Sequence, residues 1–149
     1  GKGFGVKIDR EFSFLPVGQA ELLKTGKDLI IAYGHLVYTA LEVANRLEEK
    51  GFSIGVINAR FARPLDEDLI INQARKAGVI FTLEEGILEG GFGSAVRELL
   101  DRHGLYQVRF KSFGLSAALY PLGKPDEIRN ILRLNADSLV EDIGNFYSS

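Results

Sequence analysis

The sequence contains no cysteine, methionine or tryptophan, and it has only two histidines among its 149 residues. Without cysteine, the chain can form neither a disulfide framework nor a thiolate metal site. The two histidines, His35 and His103, are far apart in the sequence and lack the spacing of metal ligands. We therefore expect an intracellular domain that binds no metal.

Long apolar runs and a strong imbalance of charge are also missing. No stretch approaches the ~18 apolar residues of a membrane-spanning helix, and none resembles a signal peptide. The formal net charge of −2 gives no electrostatic reason to expect nucleic acid or an anionic membrane as a partner. Hydrophobic residues make up 46% and charged residues 26% of the chain, as in ordinary globular domains. We expect a soluble globular protein.

The N-terminal segment has the composition of a linker. Gly1–Gly5 contains three glycines and no initiator methionine, and the residues that follow mix charge with scattered aromatics. We expect residues 1–16 to be a lead-in and residues 17–149 to form a single domain. We also expect the chain to be a piece of a larger protein.

From residue 29 onwards, short apolar runs alternate with stretches whose apolar residues recur at helical spacing. The apolar runs predict strands at 29–33, 54–57, 79–83 and 108–110. The periodic stretches predict helices at 36–50, 66–77, 91–103, 126–132 and 136–146, the last with Asn135 as N-cap. Continuous apolar strands between helices are typical of a mostly parallel sheet covered on both faces. The predicted fold class is α/β, a three-layer α/β/α sandwich.

One more strand is predicted before this alternation begins. Gln19–Leu23 is followed by the tight turn Thr25–Asp28, which leads into the apolar run Leu29–Tyr33. This arrangement predicts an antiparallel hairpin between the first two strands.

The loops that follow successive parallel strands meet at one edge of such a sheet, where ligands commonly bind. Here these loops carry Gly34-His35, Asn58-Ala59-Arg60, Glu84-Glu85 and Gly114. His35 lies where a helix begins, and a helix N-terminus disfavours an imidazolium ion. We therefore expect His35 to be a hydrogen-bonding or interface residue rather than a catalytic base.

Two arginines, Arg60 and Arg63, flank Phe61 just after a predicted strand. A guanidinium at this edge could bind a phosphate through two parallel hydrogen bonds. It could equally form a salt bridge with Glu84 or Glu85 from the neighbouring loop. Because opposite charges crowd such an edge, we expect the structural salt bridge.

The adjacent carboxylates Glu84 and Glu85 lie at the end of a predicted strand. A catalytic pair would need both side chains to converge on one bond, but adjacent strand residues point to opposite faces. We expect one carboxylate to cap the following turn and the other to contact a basic partner. The sequence therefore predicts no catalytic residue in this segment.

The glycine-rich segment Gly90–Ser94 precedes a predicted helix and could present N–H groups to an anion. It lacks the Lys-Ser/Thr of a Walker motif and the glycine spacing of a dinucleotide fingerprint. The nearby Glu84, Glu85 and Glu89 would repel a phosphate. We expect these glycines to allow close packing between strand and helix. On these grounds the chain lacks an active site of its own and has an edge suited to contacts.

Five segments of the chain, in this order, resemble the C-terminal domain of the 1-deoxy-D-xylulose-5-phosphate synthase family. They are Leu15–Glu21, Asp28–Gly34, Ala59–Asp66, Thr82–Gly86 and Gly90–Ser94. The most specific are the Arg-Phe-x-x-Pro-Leu-Asp run and the Glu-Glu run followed by Gly-Gly-x-Gly-Ser. The resemblance extends from about residue 15 to the end of the chain.

The resemblance implies an enzyme of the transketolase type that uses thiamine diphosphate. Such synthases condense pyruvate with glyceraldehyde 3-phosphate and release carbon dioxide, in isoprenoid precursor and thiamine biosynthesis. In the family, two preceding domains hold the cofactor, its magnesium ion and the activating glutamate. The resemblance thus implies that this domain binds no cofactor, is structural and interface-forming, and is inactive alone. It also implies a five-stranded sheet with the first strand antiparallel, and a homodimer in the cytoplasm or plastid stroma.

Two alternatives remain open at this point. One is the C-terminal domain from the β-subunit of a 2-oxoacid dehydrogenase E1 component, which shares this fold and its glycine-rich turn. The other is a free-standing module that binds a small anion through His35, Arg60 and Glu85.

Overall fold

The computed structural model describes residues 16–87, 91–115, 129–130 and 133–149, which form a five-stranded sheet with helices on both faces. In chain order the elements are β1 (Glu21–Lys24), β2 (Asp28–Ala32), α1 (Leu36–Glu49), β3 (Ile54–Asn58), α2 (Glu67–Ala74), β4 (Val79–Ile87), α3 (Phe92–Arg102), β5 (Arg109–Leu115) and α4 (Ala136–Ser148). No helix in these ranges is long and apolar enough to cross a membrane.

The strand order is β1-β3-β2-β4-β5, with β1 antiparallel to β3 and every other neighbouring pair parallel. The fold class predicted from the sequence is therefore confirmed, including a first strand that runs against the rest. All five residues of the central strand β2 are buried, whereas β1, at the edge, is only half-buried. This difference follows the continuous apolar character of β2, which suits a strand covered on both faces.

The predicted hairpin between β1 and β2 is wrong, because β3 lies between these two strands. The connection from β1 to β2 passes directly against the start of β3. A Cβ atom added to Gly26 would lie 2.2 Å from the backbone nitrogen of Gly55. Glycine at both positions lets the two backbones touch, so the turn crosses β3 instead of reversing beside it.

Most helix boundaries agree with the periodicity of the sequence. The last helix begins after Asn135, whose side chain accepts a hydrogen bond from the N–H of Ser138 at 2.8 Å, as predicted. Asp66 caps α2 in the same way, accepting from the N–H of Leu69 at 3.1 Å. The last strand is longer than the predicted 108–110, and most of the predicted helix at 126–132 lies outside the described residues.

Alternation along the strands separates two hydrophobic cores. On β2, Ile30 and Ala32 face α1 and α4, while Leu29 and Ile31 face α2 and α3. The same rule holds on β4, where Phe81 and Leu83 belong to the first core and Ile80 to the second. Because successive strand residues point to opposite faces, every residue of the central strands has a helix to pack against.

The last helix, α4, is tied to the amino end of the sheet by a buried carboxylate. Asp28 accepts hydrogen bonds from the N–H groups of Gly78 at 3.0 Å and Val79 at 2.9 Å. Its second oxygen accepts from the hydroxyl of Tyr147, whose ring stacks on Phe52 at 4.8 Å between centroids. Burial of the ring, together with the hydrogen bond to Asp28, raises the pKa of Tyr147 above its ordinary value.

We predict that Tyr147→Phe lowers the free energy of unfolding at pH 7 by about 1–2 kcal/mol, since a hydrogen bond to a buried carboxylate is lost. The raised pKa means that Tyr147 ionises more readily in the unfolded chain than in the native state. Wild-type stability must therefore fall as the pH rises beyond about 10, the ordinary tyrosine pKa. Over that range, the difference in the free energy of unfolding between the wild type and Tyr147→Phe should narrow.

Urea denaturation at pH 7 to 11 checks this. The control is Tyr106→Phe, because that tyrosine is 69% exposed. Equal losses in both variants at pH 7, or a gap that widens at high pH, would contradict the prediction.

Candidate functional site

The carboxyl ends of β2, β3 and β4 lie side by side, so the loops after them meet at one edge of the sheet. Ala32 is in register with Asn58 on one side and with Leu83 on the other. The backbone continues this alignment past the strand ends, since the N–H of Ala59 donates to the carbonyl of Ala32 at 2.9 Å. We call the group formed by His35, residues 58–63, Glu84 and Glu85 the carboxyl edge.

Glu84 is buried, with 2% of its surface exposed, and it caps helix α3. Its two carboxylate oxygens accept hydrogen bonds from the N–H groups of Phe92 and Gly93, both at 2.9 Å. The N-cap residue of this helix is Gly91, which has no side chain to satisfy these donors. Glu84 supplies the missing acceptor and places a negative charge at the positive end of the helix. The predicted cap is confirmed.

The glycine-rich segment packs as tightly as the sequence suggested. A Cβ atom at Gly93 would lie 2.4 Å from Oγ of Ser112 and 2.7 Å from Oγ1 of Thr82. Those two hydroxyls are themselves hydrogen-bonded at 2.8 Å, so neither can move away freely. Because two N–H groups at the start of α3 also donate to Glu84, this end of the helix is packed tightly against the sheet.

Glu85 lies on the opposite face of β4, as strand alternation requires. Its carboxylate forms a salt bridge with Arg129, and its side chain remains 38% exposed. The two neighbouring glutamates therefore do not converge, as the alternation of strand residues predicted. A basic partner for the second carboxylate is also confirmed.

The partner of Glu85 was not identifiable from the sequence. Arg129 falls within a predicted helix, but no local signal connects that helix to the end of β4. The contact joins residues 44 positions apart. Only the packing of the chain brings them together.

The predicted salt bridge between Arg60 or Arg63 and these glutamates is wrong. Both carboxylates are engaged elsewhere, and among the described residues neither arginine forms a salt bridge. Arg60 is half-buried and has a left-handed backbone, with φ of 63°. Its N–H donates to Oδ1 of Asn58 at 3.0 Å. Its Nη1 is buried and has no hydrogen-bond partner in the described structure.

His35 and Arg63 are both exposed at the carboxyl edge. His35 occupies the N-cap position of α1, but its side chain makes no capping hydrogen bond. The binding or interface role predicted for His35, Arg60, Arg63, Glu84 and Glu85 stays a prediction. The geometry divides these five residues into two groups. Both carboxylates have hydrogen-bond or ion-pair partners. In contrast, His35 and Arg63 are exposed, and Nη1 of Arg60 has no described partner.

The described residues contain no cluster of side chains arranged to hold a metal ion. No group of three or more His, Asp or Glu side chains within these ranges could hold a metal ion. Glu84, the most buried acid of the edge, already has both oxygens occupied by backbone donors. Among the described residues, the arrangement does not fit a magnesium ion.

Comparison with known proteins identifies the family. A family model of the transketolase C-terminal domain matches residues 18–139. The chain belongs to the transketolase C-terminal domain family. The match covers all the strands and α1, α2 and α3, and it extends into α4.

Two curated relatives of this transketolase C-terminal domain bear the name 1-deoxy-D-xylulose-5-phosphate synthase. The one from Halothermothrix orenii is 41% identical over 142 residues, covering 95% of this chain and 22% of the relative. The one from Synechococcus elongatus is 46% identical over 151 residues, covering 97% and 24%. The domain thus spans about a quarter of the length of these relatives.

Solved structures share the fold of this transketolase C-terminal domain. A split-gene transketolase, described as an inactive beta4 tetramer, has a TM-score of 0.80 and 30% identity. It is matched over 94% of this chain and 45% of its own. A transketolase from Campylobacter jejuni has a TM-score of 0.60 at 23% identity, over 91% and 20% of the two chains. At that identity the likeness shows the fold alone.

We predict that Glu84→Gln destabilises the domain by about 2–3 kcal/mol, since it removes a charge-assisted cap and turns an amide N–H₂ towards a backbone donor. The matched control is Glu85→Gln, which breaks only an exposed ion pair and should cost less than about 1 kcal/mol. Chemical denaturation measures both. Similar losses in the two variants would be incompatible with the capping role.

We predict that Gly93→Ala destabilises the domain by about 1–3 kcal/mol, because the new methyl group overlaps two hydrogen-bonded hydroxyls. Gly144→Ala is the control, since a Cβ there has no described atom within 4 Å and lies in helix α4. That change should stabilise by about 0.5–1 kcal/mol. Thermal unfolding compares the stabilities of the variants. A Gly93→Ala variant as stable as the wild type would contradict the tight packing between α3 and the sheet.

Proposed function

We propose that this chain is the C-terminal domain of a 1-deoxy-D-xylulose-5-phosphate synthase. The observation that carries this proposal is the identity of 41% and 46% to synthases of that name over almost the whole chain. These relatives favour the synthase over the 2-oxoacid dehydrogenase alternative. In such an enzyme, pyruvate and glyceraldehyde 3-phosphate condense with loss of carbon dioxide.

The chemistry of that reaction is assigned to other domains of the enzyme. When bound, thiamine diphosphate would supply the carbanion chemistry of such a synthase, and the family resemblance implies that the two preceding domains hold it with its magnesium ion and activating glutamate. Within the described ranges, no set of acidic side chains is arranged for a metal ion, and Glu84 caps a helix. We therefore propose that the domain binds neither cofactor nor magnesium and has no turnover alone.

The role proposed for the domain is to support the fold and interfaces of the whole enzyme. The carboxyl edge presents exposed His35 and Arg63 beside the half-buried Arg60. The family resemblance implies that two cofactor-binding domains precede this one and that the enzyme is a homodimer. We propose that this edge contacts those domains.

A chimera tests the proposal. Residues 18–149 of this chain would replace the matching segment of the Synechococcus elongatus synthase, to which the chain is 46% identical. We expect kcat/KM for the two substrates within about tenfold of the parent, which corresponds to ~1.4 kcal/mol in the barrier. The 149-residue chain alone, given thiamine diphosphate, magnesium and both substrates, should form no product.

The matching segment of the Campylobacter jejuni transketolase, which shares the fold at 23% identity, gives the control chimera. We expect that chimera to lose synthase activity, because the segment shares the fold but only 23% of its residues with this chain. A folded chimera of this chain without synthase activity would count against the proposed function. Product formed by the chain alone would refute its inactivity.

A further inference from the structure

We propose that Arg60 is an oxyanion receptor, which binds a carboxylate or phosphate group that comes from outside the domain. Three independent features of the described structure lead to this residue. They are its backbone conformation, its unsatisfied buried donor and the surrounding distribution of charge.

The backbone of Arg60 is held in a conformation that arginine disfavours. Its φ of 63° lies in the left-handed region, where a Cβ atom crowds the following carbonyl oxygen. The neighbouring Asn58 side chain stabilises this conformation by accepting from the N–H of Arg60 at 3.0 Å. Glycine would adopt the same backbone without strain, so the fold of the domain gives no reason for a long cationic side chain here. Such strain at a loop residue commonly accompanies function.

One nitrogen of the half-buried Arg60 side chain is both buried and unsatisfied. Nη1 of Arg60 is buried and has no hydrogen-bond partner in the part of the chain that is described. A buried charged donor without an acceptor is strongly unfavourable, and most such groups in native proteins are paired. An incoming oxyanion would supply the missing acceptor and the counter-charge together.

The acids of the carboxyl edge do not provide that acceptor. Glu84 directs both oxygens to the start of α3, and Glu85 forms a salt bridge with Arg129 on the other face of β4. Asp66, which follows Arg63 by three positions, accepts from Leu69 and Ala20 instead. Of the side chains beside Arg60 in the chain or across the strand ends, Arg63 and His35 are exposed and carry no negative charge, and the exposed Glu85 is paired with Arg129. The described acids of the edge thus have other partners, and Arg60 presents a planar donor that suits a carboxylate or phosphate.

The shared chemistry of the ligand is a pair of oxygens that carry negative charge. It has two possible sources, an acidic side chain elsewhere in a larger protein or a free phosphate group. The first source rests on the proposed function, since it needs further domains, whereas the second does not. Separate measurements distinguish them.

The first measurement uses the 149-residue chain and its variants Arg60→Gly and Arg60→Gln. Arg60→Gly relieves the strained backbone and removes the unpaired donor, so its Tm should be unchanged or raised by up to about 4 °C. Arg102→Gln is the matched control, because that exposed arginine pairs with Glu67 at 2.7 Å, away from the carboxyl edge. If both Arg60 variants instead lower the Tm by several degrees, the guanidinium serves packing within the domain, and the proposal is overturned.

The second measurement adds inorganic phosphate, with sodium chloride at equal ionic strength as reference. If the source is free phosphate, the Tm of the wild-type chain and of Arg102→Gln rises with phosphate concentration. The same titration leaves both Arg60 variants unchanged. If the source is an acidic side chain, phosphate shifts none of them.

In that second case the same substitutions are placed in the Synechococcus elongatus chimera. There both Arg60 variants should lower the Tm, while Arg102→Gln leaves it within the spread of the parent. If the Arg60 variants have the same Tm as the parent chimera, and phosphate also leaves the Tm unchanged, the proposal is overturned. These readouts are melting temperatures, so a folded chimera without synthase activity refutes the proposed function and still tests Arg60.

Discussion

The two hydrogen bonds from the start of α3 to Glu84 decide what the carboxyl edge can do. They join β4 to α3 where the N-cap residue, Gly91, has no side chain to offer. They occupy both oxygens of the most buried acid at the edge and two of the N–H groups that an anion would need. The glycine-rich segment before α3, which has the composition of a phosphate-binding loop, therefore serves to pack the helix against the sheet. Position 93 has room only for glycine, because two hydroxyls lie beside it.

The opposite end of the sheet has a comparable arrangement. Asp28, a buried carboxylate at the start of β2, accepts from two backbone N–H groups and from Tyr147 of the last helix. Each end of the central sheet thus uses one acidic side chain to satisfy backbone donors and to attach a neighbouring element. These two buried carboxylates serve the fold, because each has several charge-assisted partners.

Arg60 is the contrast to these satisfied acids. It is a cation with a strained backbone and a buried nitrogen that has no acceptor within the described ranges. The chain belongs to the transketolase C-terminal domain family and spans about a quarter of the length of its curated relatives, so contacts beyond the domain are an ordinary expectation. The unpaired nitrogen of Arg60 and the family membership support the same proposal, that the domain functions in contact with a group from outside it.

Local patterns in the sequence determined the elements, the layers and the divergence of Glu84 and Glu85, since helical and strand periodicities depend on neighbouring residues only. They also determined the cap of α4 by Asn135. Tertiary structure alone decided which strand pairs with β1, which arginine meets Glu85 and which is left without a partner among the described residues. Strand neighbours and ion pairs join residues far apart in sequence, and nothing local encodes their choice. Gly26 crosses Gly55, and Arg129 pairs with Glu85 where Arg60 or Arg63 was expected.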